Sequence, residues 1–193
     1  MRGWAVGLAM AVACLAGPAM AQRPDPAPLI AAQKEAMKKL AWMAGRWQGP
    51  AWEAGGGHRL EMIQTERIGP MLDGAVMVVE GKAFLPDGKP AGFNALGVIS
   101  YDPMKKAYTF QSWSQGRQGS FPLTVNDDGS WTWSLQAGPM TMKYTTTREG
   151  GGWREVGEMI RPDGTSTRIF EMTLKRVGDT DWPRVGEASA PGR

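Results

Sequence analysis

The sequence predicts an all-β fold: a closed antiparallel up-and-down β-barrel of about ten strands, preceded by one N-terminal α-helix. Three observations predict it. After Gly45 the apolar spacing changes from helical to alternating, and it stays so almost to the C-terminus. Turn chemistry recurs at short intervals, in Pro86-Asp-Gly88, Tyr101-Asp-Pro103, Asn126-Asp-Asp-Gly129, Gly138-Pro139, Glu149-Gly-Gly-Gly152 and Pro162-Asp-Gly164. Short turns favour a next-neighbour meander, and closing that meander removes the two bare edges it would otherwise expose.

The elements follow in order. Arg2, the apolar run Gly3 to Leu15, Gly17-Pro18 and Ala19-Met20-Ala21 have the layout of a signal peptide over residues 1–21, cleaved after Ala21 to leave Gln22 as the mature N-terminus. Export to the periplasm or medium is the expected localisation. Cys14 lies inside this leader and is the chain's only cysteine. Lipid anchoring there is the less favoured reading, because Ala11-Val12-Ala13 lacks a leucine three places upstream. A mature chain without thiols relies on packing rather than disulfides.

Residues 22–28 form a Pro-rich linker, and residues 29–178 hold the helix and barrel. The helix spans about residues 29–44, with Ile30, Met37, Leu40 and Ala44 on one side, Pro28 at its start and Gly45 just past its end. β-type segments follow near residues 46–54, 58–68, 75–85, 93–101, 107–115, 118–126, 130–137, 140–148, 153–161 and 166–177. Residues 179–193 read as a flexible tail. Alternation places Trp131, Trp133 and Leu135 on one face of their strand, and likewise Met140, Met142 and Tyr144, and Phe170, Met172 and Leu174. The inner face is rich in Trp and Met, which line irregular spaces well, and a barrel of this strand number has room for a small ligand.

With 22 basic and 19 acidic side chains interspersed, no basic stripe marks a nucleic-acid partner. After the leader no segment approaches the roughly 18 apolar residues of a transmembrane span.

Gly45-Arg46-Trp47 resembles the Gly-x-Trp signature that opens the first strand of lipocalins and other calycin barrels. In those families the Trp closes one end and a basic residue of a late strand packs across its ring; the resemblance thus implies that Gly45 and Trp47 are structural, with Arg176 or Lys175 supplying the cation. The order of Leu40 to Gly49, Met71-Leu-Asp-Gly74, Gly97-Val-Ile-Ser-Tyr-Asp102 with Tyr108, and Phe170-Glu-Met172 resembles a bacterial family called domain of unknown function 1579, over residues 34–177. The chain is also similar to haem-binding nitrobindin-type barrels. It departs from them where they ligate iron, having no histidine near the C-terminus. Its only histidine, His58, follows the Gly55-Gly-Gly57 turn and is expected at the barrel rim. No cofactor is expected.

Catalytic constellations are few. A single histidine and no mature cysteine exclude a Cys-His dyad, and no Gly-x-Ser-x-Gly elbow supports a serine triad. No His/Cys/Asp cluster has metal-ligand spacing, and Asn126-Asp-Asp-Gly129 lacks the further ligands of a calcium loop. Glutamates are the informative residues. Parity puts Gln64 and Glu66 inside with Leu60 and Met62, and puts Glu158 with Val156 and Ile160; Arg168, in phase with Phe170, is a candidate counter-charge. A glutamate inside an apolar barrel is paired or protonated. The reading is an exported barrel that binds a small apolar or amphipathic molecule, with Phe110, Trp133, Met142 and Tyr144 as walls and Glu66, Glu158 or Arg168 at a polar end. The alternatives are a filled barrel acting as an envelope accessory protein, and a Glu-dependent isomerase or hydrolase.

Overall fold

Asp25 and Pro28 set the first element. The Asp25 carboxylate accepts a hydrogen bond from the Ala27 N–H at 2.9 Å, and Pro28 lies in the first turn of α1 (Ala27–Met37), where a missing N–H leaves no helical bond unmade. The structure is a computed structural model that describes residues 25–55 and 57–183. The leader with Cys14, residues 22–24 of the linker and residues 184–193 lie outside the described residues.

The helix does not continue to Ala44. It tightens into a 3-10 turn over Lys38–Met43, which rotates Leu40 and Met43 fully into the core beside Met37. Ile30, expected on the same buried side, is 45 % exposed. Apolar burial is thus concentrated in Met37, Leu40 and Met43; α1 lies against β3 and β4, and the 3-10 turn against β2.

Ten antiparallel strands follow: β1 (Gly45–Gly55), β2 (His58–Met71), β3 (Val76–Phe84), β4 (Pro90–Asp102), β5 (Ala107–Ser114), β6 (Arg117–Val125), β7 (Trp131–Ala137), β8 (Met140–Glu149), β9 (Gly152–Ile160) and β10 (Ser166–Gly178). Each pairs with its chain neighbours, and β1 pairs with β10 to close the ring. No bare edge is left, as the meander argument requires.

Three hairpins share one chemistry. In Leu85-Pro-Asp-Gly-Lys89, Asn126-Asp-Asp-Gly-Ser130 and Arg161-Pro-Asp-Gly-Thr165 the glycine N–H donates to the first residue's carbonyl at 2.8, 3.1 and 2.9 Å. The Asp before each glycine accepts the N–H of the residue after it, and each glycine is left-handed (φ 85°, 79° and 84°). The middle hairpin is pinned to the 3-10 turn: Trp42 Nε1 donates to the Gly129 carbonyl at 3.1 Å, and Lys39 pairs with Asp127 at 2.7 Å. Tyr108, on β5, donates to the Ala36 carbonyl at 2.7 Å. These contacts cap one end of the barrel.

Trp47 plugs that end, but not under a basic residue. Its indole donates to the Met43 carbonyl at 2.8 Å, and its ring meets Trp42 and Trp153 edge-on, at 6.0 and 6.2 Å between centroids. Trp42 and Trp153 also meet edge-on, at 6.2 Å. Arg176 does not pack across Trp47. It lies over Gly45, where a Cβ would come within 2.8 Å of its Nε, and it donates to the Ala44 carbonyl and to Asp179. Those two acceptors hold the cation at the rim.

The start of the expected tail is held. Trp182 lies beneath the Arg67 guanidinium at 4.1 Å and against Gly69, whose missing side chain permits the approach, and Arg67 reaches Asp181 at 3.4 Å.

Candidate functional site

Inside the barrel, above the indole plug, lies a cavity of about 690 Å³. It reaches solvent at the opposite end, where Gln115, Arg117 and Gln118 of the β5–β6 hairpin are exposed lining residues. Trp131, Trp153, Met62 and Met172 are buried lining residues deeper in the barrel.

One wall is a continuous file of rings. Trp133 stacks on Tyr144 at 4.7 Å and 13°, and meets Phe110 and Phe121 at 4.9 and 5.0 Å. Phe110 touches Trp131, and Tyr144 touches Phe170. The rings lie flat against the sheet because glycines face them: a Cβ on Gly97 would sit 2.6 Å from the Phe110 ring, and one on Gly119 would strike Phe121.

The polar groups gather at the floor. Gln64 Nε2 donates to Glu66 Oε1 at 2.7 Å, while Glu66 Oε2 is buried with no hydrogen-bond partner. Gly81 makes room for this carboxyl, since a Cβ there would lie 2.7 Å from Oε1. Burial pushes Glu66 up to about 8; Gln64 works against the rise, and charge on Glu155 adds to it. Glu155, on β9, accepts from the Thr146 hydroxyl at 2.8 Å. Burial pushes Glu155 up to about 7 against Thr146 and the Trp153 indole, which favour its ionised form. The Trp153 N–H biases this carboxyl without forming a hydrogen bond of good geometry, and the N–H groups of Trp131 and Trp133 are likewise buried and unpartnered. Burial also raises Tyr144 to about 12, keeping its phenol neutral.

Of the residues singled out in the sequence, Glu66, Phe110, Trp133 and Tyr144 come together around this cavity. Met142 shares the inward side of β8 with Tyr144, yet it is not among the lining residues. Glu158 is a correction. Trp153, Glu155 and Gly157 face inward on β9, so Glu158 points out and accepts from the Ser166 hydroxyl at 3.0 Å. Arg168 is a second. A β-bulge between Arg168 and Phe170 breaks the alternation, leaving Arg168 exposed and paired with Glu171 at 2.9 Å. His58 is exposed at the end of the β1–β2 hairpin. Glu155 and Thr146 were missed, although Trp153 two residues before Glu155 was the available signal for its face.

No group of three or more His, Cys, Asp or Glu residues with metal-binding arrangement occurs among the described residues. No helix among them is long and apolar enough to cross a membrane.

No protein-family model and no curated protein matches this sequence. Among solved structures the chain is similar to the crystal structure of Rv2717c from M. tuberculosis, with a TM-score of 0.55 and 12 % identity over 73 % of this chain and 96 % of that one. That likeness establishes a shared barrel fold.

Proposed function

We propose that this barrel binds a small, largely apolar molecule in its interior, in the manner of calycin-type carriers, and that it does so after export. The observation that carries the reading is the cavity. Its volume of about 690 Å³ suits a small-molecule ligand, and its lining combines a ring-rich wall with a few convergent polar groups. Affinity would come from burial of apolar ligand surface at roughly 25 cal/mol per Å². Glycines at 81, 97 and 119 let the Glu66 carboxyl and the Phe110 and Phe121 rings lie back against the wall instead of crossing the lumen. The leader-like residues 1–21 support export; a mass starting at Gln22 for protein from the envelope fraction is the expected result.

Trp133 stands at the centre of the ring file and tests the reading. Trp133→Ala should weaken binding of an apolar fluorescent probe about tenfold or more while lowering stability less than a buried Trp truncation usually does, about 3 kcal/mol. Loss of stability with unaltered probe binding would mark the ring as core filling.

A Glu-dependent reaction is the second reading. It is favoured by two buried carboxyls held near neutrality, at about 8 and about 7. Turnover that survives in both Glu66→Gln and Glu155→Gln would remove it.

A further inference from the structure

The carrier reading leaves the ligand's charge open, and the cavity floor bears on it. Four charged side chains line the cavity among the described residues: Glu53, Glu66, Glu155 and Arg117. Arg117 sits exposed at the mouth, as does Glu53. Among the described residues no cation lines the floor of this cavity beside the two glutamates, and neither of them forms an ion pair; Arg46, Arg67 and Lys82 line a separate pocket that Glu66 also borders. Around Glu66, β1 contributes Trp47 in register and β3 contributes Gly81. Glu80 of β3 and Arg67 of β2 pair with one another outside, at 2.8 Å, with Lys82 also on Glu80. Around Glu155, β8 contributes Thr146 and the neutral phenol of Tyr144, and β10 contributes Met172.

Two carboxyls without a counter-charge, one with a buried oxygen that nothing satisfies, stand at the end of a file of ring faces. Ring faces attract cations, and a desolvated carboxylate gains most from an ammonium it can hydrogen-bond. A carboxylate- or phosphate-headed ligand would instead bring a further acidic group to a floor whose two carboxyls burial already keeps from ionising. We infer that the ligand is an organic cation: a protonated primary or secondary amine on an apolar, ring-bearing body, with its ammonium held by Glu66 and Glu155 and its body against Phe110, Trp133 and Tyr144. This rests on the carrier reading and assigns the chemical class of its ligand. The N–H groups of Trp131 and Trp133, which find no acceptor among the described residues, suit an oxygen on the ligand beside the amine.

Calorimetric titration of the full chain with a matched series tests the inference: 1-naphthylmethylamine, 1-naphthylmethanol and 1-naphthoate. The amine should bind roughly tenfold tighter than the alcohol near pH 8, and the acid weakest. The preference should grow from about pH 6 to about pH 8 as the pair ionises. Near pH 7, heats in buffers of different ionisation enthalpy should show about one proton released per amine bound. Glu66→Gln and Glu155→Gln should each erase most of the amine's advantage and leave the alcohol's affinity in place. Equal binding of amine and alcohol, or amine binding without proton release in the wild-type protein, overturns the amine assignment and leaves the carrier reading standing. Failure of all three, together with failure of an apolar dye, overturns both.

Discussion

Glu66 is held protonated near neutrality because its charged form has been stripped of water and given one amide donor. The sign of the consequence follows. Its folded pKa, about 8, lies above the ordinary 4.5, so the folded chain keeps a proton that the unfolded chain releases. Stability is full below about pH 4.5 and is lost as pH rises through about 8. Glu155 acts the same way up to about 7. The unliganded protein should therefore melt at a lower temperature at pH 8.5 than at pH 5, having lost at most about 1.4 kcal/mol of stability for each unit of upward shift. Glu66→Gln should flatten that slope; a slope unaltered in the variant would show that the carboxyl is solvated. Gly81→Ala belongs with it. The new methyl group meets the carboxyl head-on, so the variant should lose about 2 kcal/mol, and pairing it with Glu66→Ala should recover most of the loss. Additive losses in the pair would mean that the backbone, not the carboxyl, resists the methyl. Glu66 was legible in the sequence because the parity set by Met62 runs unbroken through Gln64 to Glu66, although Leu60, the other residue that suggested it, is 43 % exposed at the start of the strand. Glu155 was not. Val156 and Ile160 offer β9 an outward apolar set as persuasive as the inward one, and Gly157, cut back to admit Tyr144 and Phe170, adds no apolar mark to the true inner face. Arg168 shows a different limit: a bulge depends on how two strands pair, and alternation within one strand does not reveal it.

The strands were the most readable elements, because their ends coincide with turn residues whose backbone requirements are steric. Where Asp-Gly follows Pro or Asp, the glycine must take the left-handed region and the Asp side chain closes the loop, so strand limits come within a few residues of those expected. The helix end was less readable. Gly45 marked the stop, but the tightening at Lys38 answers to what the barrel end accepts, namely Leu40, Met43 and the Trp42 and Trp47 indoles packed together. One hydrogen bond ties α1 to that end from the β5 side. Tyr108→Phe should remove about 1 kcal/mol and speed amide exchange in α1 while leaving exchange in β7 to β9 unaltered. Equal acceleration throughout would mean that the helix and barrel open as one unit.

For the molecule as a whole, the pairing of β1 with β10 makes a cavity out of a sheet. Gly49 sits at this seam with no room for a side chain, since a Cβ there would run into the Thr173 carbonyl. Gly49→Ala should lower the melting temperature and weaken probe binding together, because the cavity wall and the seam are one ladder; a destabilised variant with full probe affinity would argue against that identity. Every other strand pair joins neighbours along the chain, so each can form early by a short loop closure. The seam alone joins residues far apart in the chain, such as Trp47 and Arg176. Nascent hairpins would thus hold Glu66 and Glu155 apart in water, each as an ordinary acid. Only when the first strand finds the last do the two carboxyls come to share one enclosed space, and any affinity for the proposed guest would be born in that closing step.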